Sequence, residues 1–221
     1  MIHAEKIDRQ TAITIVGIIV MLLLTATKVV PSSQIAGYSV FVGIAFFFIV
    51  ETIQKPKHDE SGLRFGTFWS DLRKSGALLW AFPVASAVLT LIVGHLLFGR
   101  AFVDHIVGRT SAFLCLDRIP LHIGQVIIAA LGEEIAFRGF FVGKAMKRFP
   151  FWLCAVVSSV AFAAGHIAVG NAGLVAYDIA TVFIDSMIYA MVYRRSGNCL
   201  MSTISHILCN AVAIAATLLF F

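Results

Sequence analysis

Three short stretches carry the residues able to do chemistry in a chain that is otherwise poor in charge. LGEEIAFRGFF, at 131–141, holds Glu133, Glu134 and Arg138. FAAGH, at 162–166, holds Phe162 and His166, and HILCN, at 206–210, holds His206 and Asn210. All three lie in apolar runs, where one charge at a helix centre costs about 2.5–3.5 kcal/mol. Treating Glu like Asp, three such charges cost roughly 7–10 kcal/mol before pairing. Glu134 and Arg138 are four apart with the acid first, the favourable order for a same-face ion pair. Glu133 points about 100° away from Glu134 on a helix and has no local partner.

Around one shared, wetted interior these groups have chemical roles. Glu133 can take a proton from a water molecule. His166 can hold the same water or shuttle the proton. His206 and Asn210 can donate hydrogen bonds to a developing oxyanion, while Arg138 fixes Glu134. A base, a water and oxyanion donors suffice for peptide-bond hydrolysis. No serine or cysteine nucleophile is needed: Ser205 is off the face shared by His206 and Asn210, and Cys209 is no better placed. Taken singly each motif is weak, because a His on an apolar helix more often packs than catalyses. An i, i+4 His/Asn pair can also simply bond to a neighbouring helix. Three separate runs with such groups favour one common interior, and ionisable groups inside spans are functional candidates by default.

The elements that must position these groups are membrane helices. Hydrophobic residues make up 59% of the 221 and charged residues 13%, with a mean hydropathy of +0.92. A soluble domain is nearer 45–50% apolar and about 25% charged, so a single water-soluble core is excluded. The expected fold is all-α, a polytopic integral membrane protein with about seven spans, near 11–27, 35–53, 77–98, 121–142, 151–169, 174–192 and 200–220. The site then falls in a cavity between the fourth, fifth and seventh helices. The chain reads as a single transmembrane domain over 1–221. Its spans in 1–120 carry no motif, and 121–221 is the catalytic core. Residues 1–10 are short and polar with no cleavage site after the first apolar run, which therefore reads as a span. The connection 54–76, with Leu63, Phe65, Phe68, Trp69 and Leu72 among charges, suits either a helix on the membrane surface or an ordinary polar loop. The stretch 165–173 is where a re-entrant piece would break the span count.

The net charge of +5 is a topology signal rather than a nucleic-acid patch. With the N-terminus cytoplasmic, only Lys28, Arg100, Arg109 and Arg118 of the 17 Lys and Arg fall outside. Arg138 lies within a span and the rest fall inside, as the positive-inside rule requires. Cys115, Cys154, Cys199 and Cys209 show no paired or metal-ligand spacing. His95, His105 and His122 read as interfacial, and Trp80 and Trp152 as members of aromatic belts. Asp178 and Asp185 share a face of the sixth span, where they can line the cavity, pair with Arg138 or bond helix to helix. The zinc-protease signature H-E-x-x-H is absent. No cofactor is expected; a divalent metal such as zinc would draw on Glu133, His166 and His206.

The order E-E-x-x-x-R (133–138), F-x-x-x-H (162–166) and H-x-x-x-N (206–210), with FRGFF and YRRSGN (193–198) nearby, resembles the CAAX prenyl protease and bacteriocin-processing (CPBP, or Abi) family. The resemblance covers roughly 125–210. It implies an all-helical intramembrane endopeptidase, of a family often labelled metalloprotease. Glu133 would activate the water, His166 would assist, and His206 and Asn210 would form the oxyanion hole. Glu134, Arg138 and Phe162 would support them. Eukaryotic members cut the last three residues from a prenylated tail, whereas others, mainly bacterial, are linked to bacteriocin self-immunity or peptide processing. The implied partners are a peptide or protein substrate, C-terminal or membrane-embedded, and the lipid bilayer of a bacterial plasma (inner) membrane. Two rivals from other classes are a membrane binding protein (an immunity factor or scaffold) and a proton-coupled transporter using Glu133 and Asp185, which the lack of a visible repeat disfavours.

Overall fold

The computed structural model describes residues 8–55, 61–111 and 119–220. Lys6, Lys57, Cys115 and Arg118, used in the reading of charge and cysteine, lie outside the described residues. The described residues form α1 (Arg9–Ala26), α2 (Tyr38–Gln54), α3 (Phe68–Ser75), α4 (Ala77–Phe98), α5 (Arg100–Ser111), α6 (Ile119–Glu134), α7 (Gly143–Ala145), α8 (Phe151–Gly165), α9 (Ala172–Ser196) and α10 (Cys199–Phe220). A π-helix, Ile135–Val142, joins α6 to α7. The all-α expectation holds among them, since no strand is present.

Local chemistry sets the helix ends. Asp8 caps α1 by accepting from the Thr11 backbone N–H at 2.8 Å. Asn171 caps α9 by accepting from the Gly173 and Leu174 N–H groups at 2.9 and 3.3 Å. Both side chains satisfy donors that a first helical turn leaves unpaired. The far end of α9 closes on Gly197 at φ +69°, a left-handed conformation that glycine adopts without steric penalty.

Five helical stretches are long and apolar enough to cross a membrane: Arg9–Val29, Ile35–Gln54, Ala77–Phe98, Ala172–Ser196 and Cys199–Ala216. Leu23, Phe41 and Leu96 on them are exposed, as lipid-facing side chains are. The other two expected spans are built differently. Residues 121–142 are α6 continued by the π-helix. Residues 151–169 shorten to α8, 15 residues ending at Gly165, after which the chain turns before α9. The surface connection does contain a short helix, α3, flanked by exposed Phe65 and carrying exposed Trp69. One element was not expected at all: 100–111, taken as part of an outer connection, forms α5.

Packing divides the helices into two groups. α1, α2, α8 and the π-helix share a core that includes Met21, Phe47, Phe137, Phe140 and Phe162. α4, α9 and α10 close around Ala87, Tyr189, Val192 and Met201. Between helices in lipid the gain is packing and hydrogen bonding rather than escape from water, so close approach matters. A Cβ on Gly43 of α2 would sit 2.5 Å from the Ala136 Cβ of the π-helix and 2.9 Å from its Cα. The two groups meet where α8 packs on α9, α6 on α10, and the π-helix on both α9 and α10, and the polar residues of all three motifs are concentrated there.

Candidate active site

Glu133 and Glu134 are the last residues of α6, and Arg138 lies in the first turn of the π-helix. A π-helix closes its turns on i→i+5 bonds, is rare, and is frequently found at functional sites. All eight of its residues are buried here. The predicted pair forms: Arg138 Nη1 donates to Glu134 Oε1 at 2.9 Å, and both side chains are fully buried. The rest of the guanidinium is occupied by neighbouring helices. Its Nη2 donates to Ser186 Oγ at 2.6 Å and to the Ser186 carbonyl at 2.9 Å. Ser186 Oγ in turn lies 2.8 Å from Ser159 Oγ on α8. The Phe162 and Tyr189 rings cover the guanidinium, with centroids 4.7 and 5.3 Å from its carbon, a cation–π contact strengthened by exclusion of water.

His206 connects the two glutamates. Its Nδ1 is 3.1 Å from Glu134 Oε1, and its Nε2 is 3.8 Å from Glu133 Oε2. The imidazole stacks on Tyr189 (4.7 Å between ring centres, 18° between planes) and meets the edge of Phe162 at 5.9 Å. Glu134 already holds Arg138 and accepts the Nδ1 proton, which fixes the ring's orientation and turns Nε2 toward Glu133. The glutamates thus differ in kind. Glu134 is 0% exposed, whereas the Glu133 side chain keeps 23% and is the carboxylate open to a reactant.

The second motif joins through Phe162. His166 ends α8, with Nδ1 2.8 Å from the Phe162 carbonyl and its ring 4.8 Å from the Phe162 ring. Phe162 therefore touches both histidines. Asn210 is half-buried one turn beyond His206. Among the described residues it hydrogen-bonds to none of the cluster. Glu133, Glu134, Arg138, Phe162 and His206 are thus in one contact network, which His166 joins through Phe162, and Asn210 lies one turn along α10 from it.

Residues 115–212 match the Rce1-like type II CAAX prenyl endopeptidase family. The match covers rather less than half of the chain and takes in every member of the cluster. The resemblance read from the three motifs therefore stands, and it supports a protease of the CAAX type, in a membrane, acting on a peptide or protein. No curated protein and no solved structure matches the chain.

Among the described residues no three His, Cys, Asp or Glu side chains are placed to share an ion. The structure also places the surrounding residues. Asp178 pairs with His105 and Arg109, both at 3.1 Å, and not with Arg138. His105, expected at the interface, is buried by that pairing, and His122 is buried as well. Asp185 does not pair with Arg138, and its Oδ1 is buried without a hydrogen-bond partner among the described residues. Sequence reasoning missed Ser159, Ser186 and Tyr189. Their only signal was a few hydroxyls in apolar helices, which by itself does not set them apart from ordinary helix-packing serines and tyrosines.

Proposed function

We propose that this chain is an intramembrane endopeptidase of the CPBP type in which Glu133 activates the attacking water. The observation that carries the reading is the His206 ring, held on one nitrogen by buried Glu134 and facing partly exposed Glu133 with the other. Two groups 3.8 Å apart can share one water at ordinary hydrogen-bond distances of about 2.8 Å. Glu133 takes a proton as the water oxygen attacks the peptide carbonyl. A protonated His206 Nε2 and the Asn210 amide donate to the resulting oxyanion. Glu133 then returns its proton to the departing amine, and the C–N bond breaks. His166 holds the water against Glu133, and Arg138 with Glu134 keeps the imidazole in register. Seven membrane segments, a cytoplasmic N-terminus and a catalytic core over 121–221 complete the proposal; the positive-inside distribution and the position of the family match support it.

The test compares peptide termini from membranes of cells expressing wild type or Glu133→Gln at equal level. Cleavage sites present only with wild type are expected. Matching sets, with the variant still rescuing a knockout phenotype, would put the binding-protein reading ahead.

A further inference from the structure

The short helix α3 has two unlike sides. The inner one is closed: Phe68 and Leu72 pack toward Leu79, Val192 and Met201, and buried Asp71 bonds to Arg64 and Asn198. The outer one carries Phe65, Trp69 and Arg73, four residues apart and all exposed. Phe65 and Trp69 are 69% and 71% exposed. An amphipathic helix facing water turns aromatic residues in and charges out, whereas α3 turns Trp69 and Arg73 out together. Lys74 and Arg195 are exposed beside them, joined by a hydrogen bond from Arg195 Nε to the Lys74 carbonyl. The one acid within residues 61–80 is Asp71, and it is fully buried. Among the described residues Arg73 has no hydrogen bond or ion pair.

The fold sets this surface at the end of the bundle. The membrane-crossing α4 begins at Ala77, directly after Gly76, whose φ of +56° is open to glycine and breaks the helix there. α3 packs on α9 and α10 as well as on α4, and Asp71 reaches Asn198 in the turn between those two spans. Tryptophan settles at such a boundary with its ring half in lipid, and Arg or Lys beside it draws anionic headgroups. We propose that the outer side of α3 docks anionic phospholipid headgroups, with Phe65 and Trp69 set into the interface and Arg73, Lys74 and Arg195 holding the phosphates. An acidic protein would meet the same charges. Lipid is favoured because the surface runs on into Trp80 and Phe82 of the α4 span, both more than half exposed. Headgroups that seat α3 also hold the α9–α10 turn, from which α10 runs on to His206.

The experiment uses the full chain in nanodiscs, with Trp80→Phe and Trp152→Phe so that Trp69 is the one tryptophan left. Brominated lipids quench an indole on contact. The discs are phosphatidylcholine with a minority of phosphatidylglycerol, and bromine is carried either by the phosphatidylglycerol or by an equal share of the phosphatidylcholine. Half-quenching should need at least about fivefold less brominated phosphatidylglycerol, the gain expected from one cation near an anionic surface. The preference should vanish when Arg73, Lys74 and Arg195 are all changed to Gln, and at 1 M salt, where screening acts within about 3 Å. Arg73→Gln alone breaks no contact in the fold and should lower it part-way. Equal quenching by the two lipids overturns the proposal. So does the absence of quenching by either, which would put water, a partner protein or a second copy over Trp69. A preference that survives both the single and the triple substitution belongs to the bundle end as a whole and overturns it too. None of these readings depends on cleavage, so the proposal and the protease reading stand or fall separately.

Discussion

Two buried polar clusters in this molecule have similar composition and opposite bonding. One joins Arg64, Asp71 and Asn198 where α9 turns into α10. Arg64 donates to the Ser196 and Gly197 carbonyls at 2.7 and 3.0 Å, to Thr67 Oγ1 at 3.1 Å and to Asp71 Oδ2 at 3.1 Å. Asn198 donates to the Arg64 carbonyl at 2.7 Å and to Asp71 at 3.0 Å, and accepts from the Arg64 N–H at 3.2 Å. A cation on the last carbonyls of a helix also complements its dipole. Every guanidinium nitrogen is used, and the one buried atom left without a hydrogen bond, Asp71 Oδ1, has the Lys74 ammonium 3.6 Å away. The other cluster, around Glu134, Arg138 and His206, leaves Glu134 Oε2 and Arg138 Nε buried without a hydrogen-bond partner, with Glu133 half open beside it. Unpaired buried polar atoms are costly. A closed network holds architecture; an open one persists where a reactant completes it.

The sharpest way to break that comparison is Glu133→Gln. Loss of a general base costs about 10²- to 10⁴-fold in rate, and Glu133 makes no hydrogen bond within the cluster. Peptide cleavage should therefore collapse while the thermal midpoint in detergent stays put. Near wild-type cleavage would remove Glu133 from the role of base.

Arg64→Met should do the reverse. It strands Asp71 and uncaps α9, and removing one partner of a buried ion pair costs about 3–5 kcal/mol. Reversible unfolding in mixed micelles should show the loss, while the folded fraction, measured per active site, retains its kcat. A kcat that falls in the folded fraction of Arg64→Met would make this cluster part of the chemistry.

The two clusters were unequally legible in the sequence. The Glu134–Arg138 pair follows from i, i+4 spacing alone, and the apolar runs correctly marked the helices that bear the motifs. The His206–Glu134 contact depends on how α10 is rotated against α6, which no local pattern specifies. The π-helix has no sequence signature, because its i→i+5 bonds are set by packing of Phe137, Phe140 and Phe141 into the core. Arg109 read as a loop charge because positive-inside counting treats every cation beyond a span as loop; it lies in α5 and pairs with Asp178. YRRSGN was noticed only as a resemblance. Its Ser196, Gly197 and Asn198 belong to the closed cluster, completed by Arg64 from over a hundred residues away.

A smaller effect tests how far the open cluster is preorganised. Tyr189 is the plate on which His206 stacks, and such ring pairs contribute about 0.5–1.5 kcal/mol beyond area burial. Tyr189→Leu keeps bulk and loses the stack. Cleavage should slow by up to about tenfold, with KM nearly unchanged, because the imidazole loosens without losing Glu134. Unaltered kcat would show that Glu134 alone orients the ring.

The least change is expected in the closed cluster, as a dependence on pH. Burial alone would raise the Asp71 carboxyl, but hydrogen bonds from Thr67, Asn198 and Arg64 more than offset it and hold the group below the usual carboxylate range. A carboxyl whose folded pKa is depressed gives stability that is complete above its unfolded value, about 3.9. That contribution declines as the pH falls through the lower folded value, because the unfolded chain binds the proton first. Asp71→Asn has no such proton to bind. It should be less stable than wild type at neutral pH, and the gap should narrow as the pH falls below about 4. Thermal midpoints of both proteins across that range measure it. Parallel profiles would mean that the three hydrogen bonds do not favour the charged form, and the contrast between a closed and an open cluster would then rest on geometry alone.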